Sequence, residues 1–324
     1  MKRMKGFKLS VVLFVALLFV VPSAFSADYA NPALLADVKM IADNIAKPNW
    51  VVIDCRDEKA YAAGHISGAI SLGGPCSKIL RDPTARVKKT ADLEKILGSA
   101  GISADKHVVV YSDAKHITSA SVAFWILEYL GHKNVHFMNG GIESWQAAGK
   151  PVDKAEKKHP AATYKAKVVK SRIAPTSEIA KIAKGEVKGV QVIDSRTEKE
   201  HKGADIRALR GGYIPNTTIH VSHTETYDHK TGKIDSMDEL GKLFGKLDKN
   251  KRTIGYCQTG TRSTLTYLQL RLMGFKDPAN YDDSWIVYGS NLKYPVANEN
   301  WYDFVKVNKA IKALEEMKKA AEKK

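Results

Sequence analysis

One short segment of this 324-residue chain combines residues suited to covalent chemistry, Cys257-Gln258-Thr259-Gly260-Thr261-Arg262. A buried strand is predicted to end at Cys257, and an apolar helical face begins near Ser263. Gly260 permits the backbone to curl between them, which turns consecutive N–H groups inward as an anion site at the helix start. A cysteine at the mouth of this site is expected to have a lowered pKa and to react as a thiolate. The planar guanidinium of Arg262 adds donors suited to an oxyanion.

The spacing of this loop separates two kinds of cysteine chemistry. A phosphatase loop places five residues between its cysteine and arginine and surrounds a tetrahedral phosphate. Four residues lie between Cys257 and Arg262, so this loop is smaller and fits a persulfide on the cysteine better than a phosphoryl group. The residues expected to complete the binding set are Gln258, Thr259, Gly260, Thr261 and Ser263.

The elements that must position this loop follow an alternating pattern. The apolar runs 50–53 and 108–111 predict buried strands, and the apolar spacing over 34–45 predicts a helix. A second helix is predicted after the 108–111 strand and ends at Gly131. Strands that alternate with helices predict an α/β fold, a parallel sheet flanked by helices on both faces.

The pattern then repeats at an offset of about 140 residues, close to one domain. Asp54-Cys55-Arg56 returns as Asp194-Ser195-Arg196, and Ser112 occupies the position of Cys257. We expect a first domain over 31–152, a linker rich in Lys, Ala and Pro over 153–163, and a second domain over 164–300. Because a serine hydroxyl cannot carry a stable persulfide, the first domain is expected to be inactive.

Four segments, in this order, resemble the motifs of the rhodanese family of sulfurtransferases in its tandem-domain form. They are Asp194-Ser195-Arg196, Arg210-Gly211-Gly212-Tyr213-Ile214-Pro215, the loop from Cys257 to Arg262, and Tyr281-Asp282-Asp283-Ser284-Trp285. The resemblance implies two rhodanese-like α/β domains that pack together, with the active site on the second and facing the first. It also implies that Arg196 and Arg210 join Arg262 in holding the oxygens of a sulfur donor.

The activity implied by this resemblance is a double displacement through a Cys257 persulfide. The expected partners are a small anionic donor such as thiosulfate and a thiophilic acceptor, which is cyanide, a small thiol or a protein cysteine. No metal, organic cofactor or nucleic acid is expected to take part. Two alternatives stay open: a 3-mercaptopyruvate sulfurtransferase, and an exported persulfide carrier with little small-molecule turnover.

The chain departs from the family pattern at the edges of these motifs. Tyr213 stands where the family usually has His, and Asp283 replaces a common Gly. Asp tolerates a left-handed backbone better than most residues, so Asp283 is expected to keep that turn. These departures concern the entrance of the site and leave the nucleophile unchanged.

Several further residues have side chains that could take part in chemistry. Cys55 is interpreted as a small buried strand-end residue, and Cys76 as a loop thiol without an indicated partner. Arg56, which matches Arg196 by repeat, is expected to make a structural hydrogen bond. His220, His223 and His229 cluster in sequence, but no cysteine or carboxylate lies at a tight ligand spacing, which argues against a metal site.

The N-terminus predicts export, here to the periplasm. Four basic residues within 1–8 precede an apolar run from Leu9 to Val21, and Ala24 and Ser26 have the spacing of a signal-peptidase site. An uncleaved anchor is the alternative. Removing residues 1–26 lowers the net charge from +16 to +12, which still favours anionic ligands. The segment 301–324 is predicted to be a basic helical tail, which is either solvated or docks electrostatically to a partner or membrane. Once the signal is cleaved, no stable membrane insertion of the protein is expected.

Overall fold

The structure is a computed structural model that describes residues 29–321, so the predicted signal sequence lies outside the described residues. Two α/β units follow each other along the chain. The first contains strands β1 (Leu35–Ala36), β2 (Trp50–Asp54), β3 (His65–Ile66), β4 (Ile70–Ser71), β5 (His107–Tyr111), β6 (Val135–Met138) and β7 (Val152–Asp153), and helices α1 (Val38–Asn44), α2 (Glu58–Ala63), α3 (Cys76–Ile79), α4 (Thr90–Ser99), α5 (Ile117–Tyr129) and α6 (Gly141–Ala147).

The second unit has a similar alternation of strands and helices and ends in an additional helix. It contains strands β8 (Gln191–Asp194), β9 (Arg210–Tyr213), β10 (Ile219–His220), β11 (Arg252–Tyr256), β12 (Asp277–Asn280) and β13 (Ala297–Trp301), and helices α7 (Thr176–Ala183), α8 (Glu198–His201), α9 (Met237–Phe244), α10 (Ser263–Leu272), α11 (Ser284–Tyr288) and α12 (Phe304–Ala321).

The two main sheets share one topology. The first is parallel in the order β1-β6-β5-β2-β4, and the second is parallel in the order β12-β11-β8-β10 when read from the same edge. A parallel bridge from Ile173 to Asn280 adds to β12 the contact that β1 makes with β6. The strands that precede Ser112 and Cys257 are therefore inner strands of their sheets. Their carboxyl ends open at the sheet edge where ligands of parallel α/β sheets bind.

The N-terminal part of the first domain differs from the expected single helix over 34–45. Leu35 and Ala36 pair with β6 as a short edge strand, and α1 begins only at Val38. The side chain of Asp37 accepts a hydrogen bond from the Met40 amide and so caps this helix. A helix and a short buried strand both place apolar residues inward, so the spacing alone did not separate them.

The interpretation of Cys55 and Cys76 as unpaired residues is wrong, because the two form a disulfide. Cys55 follows β2 and Cys76 begins α3, which brings their Cα atoms within 4.8 Å, a separation that a disulfide requires. Their 21-residue sequence separation gave no indication of this contact. Cys257 is the one free cysteine of the chain.

The two domains share an interface built on α5 and α10, the helices that follow Ser112 and Cys257. Both helices contribute buried side chains to one apolar cluster. Glu128 of α5 accepts hydrogen bonds from the Tyr267 hydroxyl at 2.5 Å and from Arg271 Nη2 at 2.8 Å, both on α10. Ser121 and Thr264 hydroxyls meet at 2.7 Å. This interface holds the carboxyl end of β11 against the first domain.

Two segments lie outside the two main sheets, the stretch that follows β7 and the C-terminal tail. The predicted linker, 153–163, begins at the end of β7 and runs along the first domain, where the Ala162 amide donates to the Gly98 carbonyl at 2.8 Å. The tail contains α12, and its side chains from 304 to 319 are exposed. None of the helices within residues 29–321 has the length and apolarity that a bilayer-spanning segment needs.

Candidate active site

The Cys257 loop, residues 257–262, connects the carboxyl end of β11 to the first residue of α10. Gly260 has the left-handed backbone that the sequence predicts, with φ of +72°. A Cβ at this position would lie 2.5 Å from the carbonyl oxygen of Asp282 and 2.8 Å from Nη2 of Arg81. Both distances are far below van der Waals contact, so the loop can take this path only with glycine.

Every carbonyl oxygen of this loop from Cys257 to Thr261 accepts a hydrogen bond from outside the loop. In chain order the donors are Trp285 N (3.0 Å), Ile286 N (2.9 Å), Arg81 Nη2 (2.7 Å), Asn280 Nδ2 (3.0 Å) and Thr264 Oγ1 (2.7 Å). A trans peptide points its N–H opposite to its C=O, so the following amides are turned to the inner side of the loop. The Thr259 and Ser263 amides are among the groups that lower the pKa of the Cys257 thiol.

The thiol of Cys257 is fully buried, and its surroundings favour the thiolate. Burial by itself raises the pKa of this thiol, because it disfavours the charged form. The positive charge of Arg262 and the hydrogen bonds from the Ser263 and Thr259 amides outweigh burial, so the pKa of Cys257 lies below its usual value. The loop therefore presents a nucleophile enclosed by hydrogen-bond donors.

Arg262 is held by a carboxylate that the sequence analysis did not identify. Its Nη1 and Nη2 each lie 2.7 Å from an oxygen of Glu200, whose side chain is fully buried. Burial acts to raise the pKa of Glu200, but Arg262 and the Thr197 donors lower it to about 2. Burial, together with Arg262, lowers the pKa of the neighbouring His223 to about 4, so this imidazole is neutral at pH 7.

Arg196 is placed differently from the expectation for a donor-binding residue. Its Nη2 lies 2.7 Å from both the Asp194 carboxylate and the Gly212 carbonyl, and its guanidinium stacks 4.4 Å over Trp285. With 1% of the residue exposed, these donors serve the protein rather than a ligand. Arg56 makes the same contacts in the first domain, to Asp54 and to the carbonyl of Gly64. The structural role expected for Arg56 thus applies to Arg196 as well.

Arg210 is also engaged within the protein. Its Nη2 donates to the carbonyls of Asn291 at 2.7 Å and Tyr294 at 2.6 Å, and its Nη1 forms an ion pair with Glu299 at 2.8 Å. These bonds attach β9 to the segment that follows α11. Of the three arginines expected to bind a donor, the structure brings only Arg262 to the Cys257 thiol.

The remaining predicted residues lie in or next to the loop with distinct partners. Gln258 Nε2 donates to the carbonyl of Arg207 at 2.6 Å. The hydroxyls of Thr259 and Thr261 lie 3.3 Å apart, and Ser263 Oγ donates to Asn280 Oδ1 at 2.6 Å. The Ser263 hydroxyl therefore stabilises the loop, and both this hydroxyl and the Ser263 amide help to lower the pKa of the Cys257 thiol.

The turn after β12 corrects one expectation. Asp283 has an ordinary right-handed backbone with φ of −62°, and Ser284 takes the left-handed conformation instead, with φ of +51°. The Ser284 hydroxyl accepts a hydrogen bond from the Cys257 amide at 3.1 Å and donates to the Tyr281 carbonyl at 2.7 Å. These two hydrogen bonds, one to the Cys257 loop and one within the turn, compensate for the unusual backbone of Ser284.

The equivalent loop of the first domain has a different interior. Asp113 caps a short 3-10 helix, Ala114–His116, and its carboxylate accepts a hydrogen bond from the His116 amide at 2.7 Å. An acidic side chain of the chain itself thus occupies the anion position at this helix start. Ser112 is buried at the end of β5. The inactivity of the first domain stays a prediction.

Two of the three histidines that cluster in sequence pair with separate backbone carbonyls. Nε2 of His220 pairs with the Arg196 carbonyl and Nε2 of His229 with the Thr224 carbonyl, each at 2.8 Å. Within the part of the chain that the structure describes, no group of three or more His, Cys, Asp or Glu side chains is arranged to hold a metal ion.

Glu200→Gln is predicted to destabilise the protein, because it leaves the Arg262 guanidinium without its buried counter-charge. The expected loss in the free energy of unfolding at pH 7 is about 3 kcal/mol, measured by urea denaturation. A carboxylate whose pKa falls from 4.5 to about 2 on folding contributes stability above pH 4.5 and loses it as the pH falls toward 2. The difference in the free energy of unfolding between wild type and Glu200→Gln should therefore shrink as the pH falls from 4.5 toward 2.

The matched control is Glu198→Gln on the same helix, whose carboxylate pairs with Lys202 at the exposed surface. Its urea midpoint should equal that of the wild type. Equal midpoints for the Glu200 and Glu198 variants would contradict the role assigned to Glu200.

Comparison with known proteins agrees with this geometry. The rhodanese-like domain family matches the chain twice, over residues 37–148 and 178–290. A thiosulfate sulfurtransferase of Corynebacterium glutamicum is 28% identical over 87% of this chain and 96% of its own length. A Haloferax volcanii protein, provisionally given the same name, is 33% identical over 75% of this chain and 87% of its own.

Solved structures with the same fold include an anaerobic ergothioneine biosynthesis enzyme from Chlorobium limicola, bound to trimethyl histidine. It superposes with a TM-score of 0.74 at 21% identity, over 83% of this chain and 71% of its own. At that identity the likeness concerns the fold alone. The two matched domains, the duplicated sheet topology and the Cys257 loop confirm the resemblance drawn from the motifs, and the chain belongs to the rhodanese family as a tandem-domain member.

Proposed function

We propose that this protein is a thiosulfate sulfurtransferase that carries sulfane sulfur as a persulfide on Cys257. One observation carries the proposal: the buried Cys257 thiol, whose pKa is lowered, lies inside a loop whose carbonyls are all held outward, with Arg262 beside it. Such a site stabilises a negative charge on sulfur without a counter-ion from solvent. Membership of a family of sulfurtransferases supports the reaction class, and the relatives named thiosulfate sulfurtransferase support the donor.

The reaction proceeds in two displacements at sulfur. The Cys257 thiolate attacks the outer sulfur of thiosulfate, a sulfur–sulfur bond forms, and the sulfur–sulfur bond of the donor breaks with its electron pair leaving on sulfite. The terminal persulfide sulfur bears the negative charge, which the inward amides of the loop stabilise. A nucleophilic acceptor then attacks that sulfur, and the electron pair of the breaking bond regenerates the Cys257 thiolate. No external oxidant or reductant is consumed.

The burial of Cys257 bears on the size of both substrates. Its residue is 0% exposed, and the neighbouring Arg262 side chain is 17% exposed. A compact donor and a small acceptor such as cyanide or a low-molecular-weight thiol reach such a sulfur more readily than a cysteine on a folded partner. The geometry therefore supports small-molecule turnover over transfer to a protein thiol.

The donor preference follows from where the positive charge lies. Arg196 and Arg210 bond to other parts of the protein, whereas Arg262, although paired with Glu200, lies beside Cys257. Arg262 and the loop amides are therefore the groups that face a donor bound at the sulfur. These groups converge on the nucleophile, where thiosulfate has three oxygens next to the sulfur that it transfers. A 3-mercaptopyruvate carboxylate lies farther from its sulfur and gains less from donors clustered at Cys257.

We also propose that the protein works outside the cytoplasm. The basic, apolar and small-residue segments within residues 1–26 support export. The Cys55–Cys76 disulfide supports an oxidising compartment, because such bonds are rare in proteins that stay in the cytosol.

Cys257→Ser is predicted to abolish both persulfide formation and turnover. Incubating the wild type with thiosulfate should add one sulfur atom to its intact mass, and cyanide should remove it. The matched control is Ser112→Ala at the equivalent position of the first domain, which should keep the adduct and retain turnover within about twofold. A sulfur adduct that persists in Cys257→Ser would contradict the assignment of the carrier.

Thiosulfate is predicted to be the better donor because its charge lies close to the converging donors. With cyanide as common acceptor, at one pH and ionic strength, kcat/KM for thiosulfate should exceed that for 3-mercaptopyruvate by about tenfold, or ~1.4 kcal/mol of transition-state stabilisation. An equal or larger value for 3-mercaptopyruvate would replace thiosulfate as the proposed donor.

A further inference from the structure

An arginine of the inactive first domain enters the Cys257 loop of the second. Arg81 follows α3 by two residues, and its side chain is 0% exposed. Its Nη1 donates to Thr261 Oγ1 at 2.6 Å and its Nη2 to the Thr259 carbonyl at 2.7 Å. Nη2 also contacts the carboxylate of Asp282, which precedes α11. A single guanidinium thus joins two points of the loop to the turn behind it.

The contact to Thr259 determines the direction of one loop amide. Because the peptide is trans and planar, holding the Thr259 carbonyl toward Arg81 turns the Gly260 N–H the other way, to the inner side of the loop. The other four carbonyls from Cys257 to Thr261 are held by residues of the second domain. The Thr259–Gly260 peptide is the member of this set whose orientation depends on the first domain.

Asp282 keeps Arg81 in place and compensates its charge. One carboxylate oxygen accepts from Arg81, and the other accepts from the amide of Val87 in the first domain at 2.7 Å. Asp282 is 4% exposed, so the pair is shielded from solvent. With its charge balanced there, Arg81 contributes oriented hydrogen bonds to the loop rather than a free cation for the donor.

The first domain in turn holds the segment that carries Arg81. The Cys55–Cys76 disulfide fixes the start of α3 to the end of β2, and the Lys88 amide donates to the Leu80 carbonyl at 3.3 Å. Arg81 is therefore presented from a segment held on both sides rather than from a free loop.

We propose that Arg81 is a positioning residue for the Cys257 loop, so that the first domain supplies part of the persulfide site although it has no nucleophile of its own. The inference rests on the proposed sulfur transfer at Cys257. Without the Arg81 guanidinium, the Thr259–Gly260 peptide is free to rotate, and the loop loses one amide donor from its inner side. The thiolate and the persulfide are then both less stabilised.

The test uses Arg81→Lys in the full chain, because lysine keeps the positive charge beside Asp282 but cannot reach Thr259, Thr261 and Asp282 with one planar fork. We expect kcat with thiosulfate and cyanide to fall about 10- to 100-fold, as for loss of a transition-state donor, while KM changes less than about threefold. The pH midpoint for alkylation of Cys257 by iodoacetamide should rise, with the thermal midpoint little changed. A second variant, Arg81→Met with Asp282→Asn, removes both charges together and should show the same kinetic and alkylation changes.

The matched control is Arg86→Lys, which alters the ion pair of Arg86 with Asp283 across the same interface. It should leave kcat and the alkylation profile at wild-type values. Arg81 variants with wild-type kcat and an unshifted alkylation profile would overturn the proposal. A fall in kcat that is explained entirely by a lower thermal midpoint would overturn it as well. Absence of thiosulfate turnover in the wild type would instead overturn the proposed function, and the alkylation shift of Arg81→Lys would still report on the loop.

Discussion

The site depends on one constraint: the carbonyls of a six-residue loop all point outward, so its amides face a buried thiolate. An ionised sulfur without water is costly unless donors surround it. The loop supplies those donors from its own backbone, and residues outside it fix the orientation of each peptide. Gly260 allows the curl, while Asn280, Thr264 and the first residues of α11 hold the carbonyls.

The duplicated architecture shows how the same fold serves two purposes. Both units carry an aspartate–arginine pair beside a tyrosine at the end of an inner strand, Asp54 with Tyr111 and Asp194 with Tyr256. They diverge at the following loop. In the first unit Asp113 satisfies the helix start internally, whereas in the second the corresponding position is left to the thiolate. The first unit then contributes α5 and Arg81 to the site of its neighbour.

The sequence predicted well what depends on local order. The alternating strands and helices, the repeat and the Cys257 loop are encoded in short segments, and the family comparison confirms the tandem rhodanese organisation. Contacts between distant segments were missed for a physical reason. Arg81 and Thr261 are 180 residues apart, and Glu200 and Arg262 are 62 apart, with no spacing rule that connects them. Thr197 and Glu200 carry a capping-box signal, which predicts a helix start but not the bond to Arg262. The motif at Arg196 shows a positive charge in the sequence but not the buried ion pair with Asp194 that neutralises it.

Titration of the Cys257 thiol, followed by the ultraviolet absorbance of its thiolate as a function of pH, most directly tests whether the loop stabilises charge on sulfur. Since Cys55 and Cys76 form a disulfide, Cys257 is the thiol that contributes to the signal, and Cys257→Ser provides the blank. Inward amides and Arg262 predict a midpoint below the ordinary cysteine pKa of about 8.5. A midpoint at or above that value would mean that burial dominates, and would contradict a loop built to stabilise charge on sulfur.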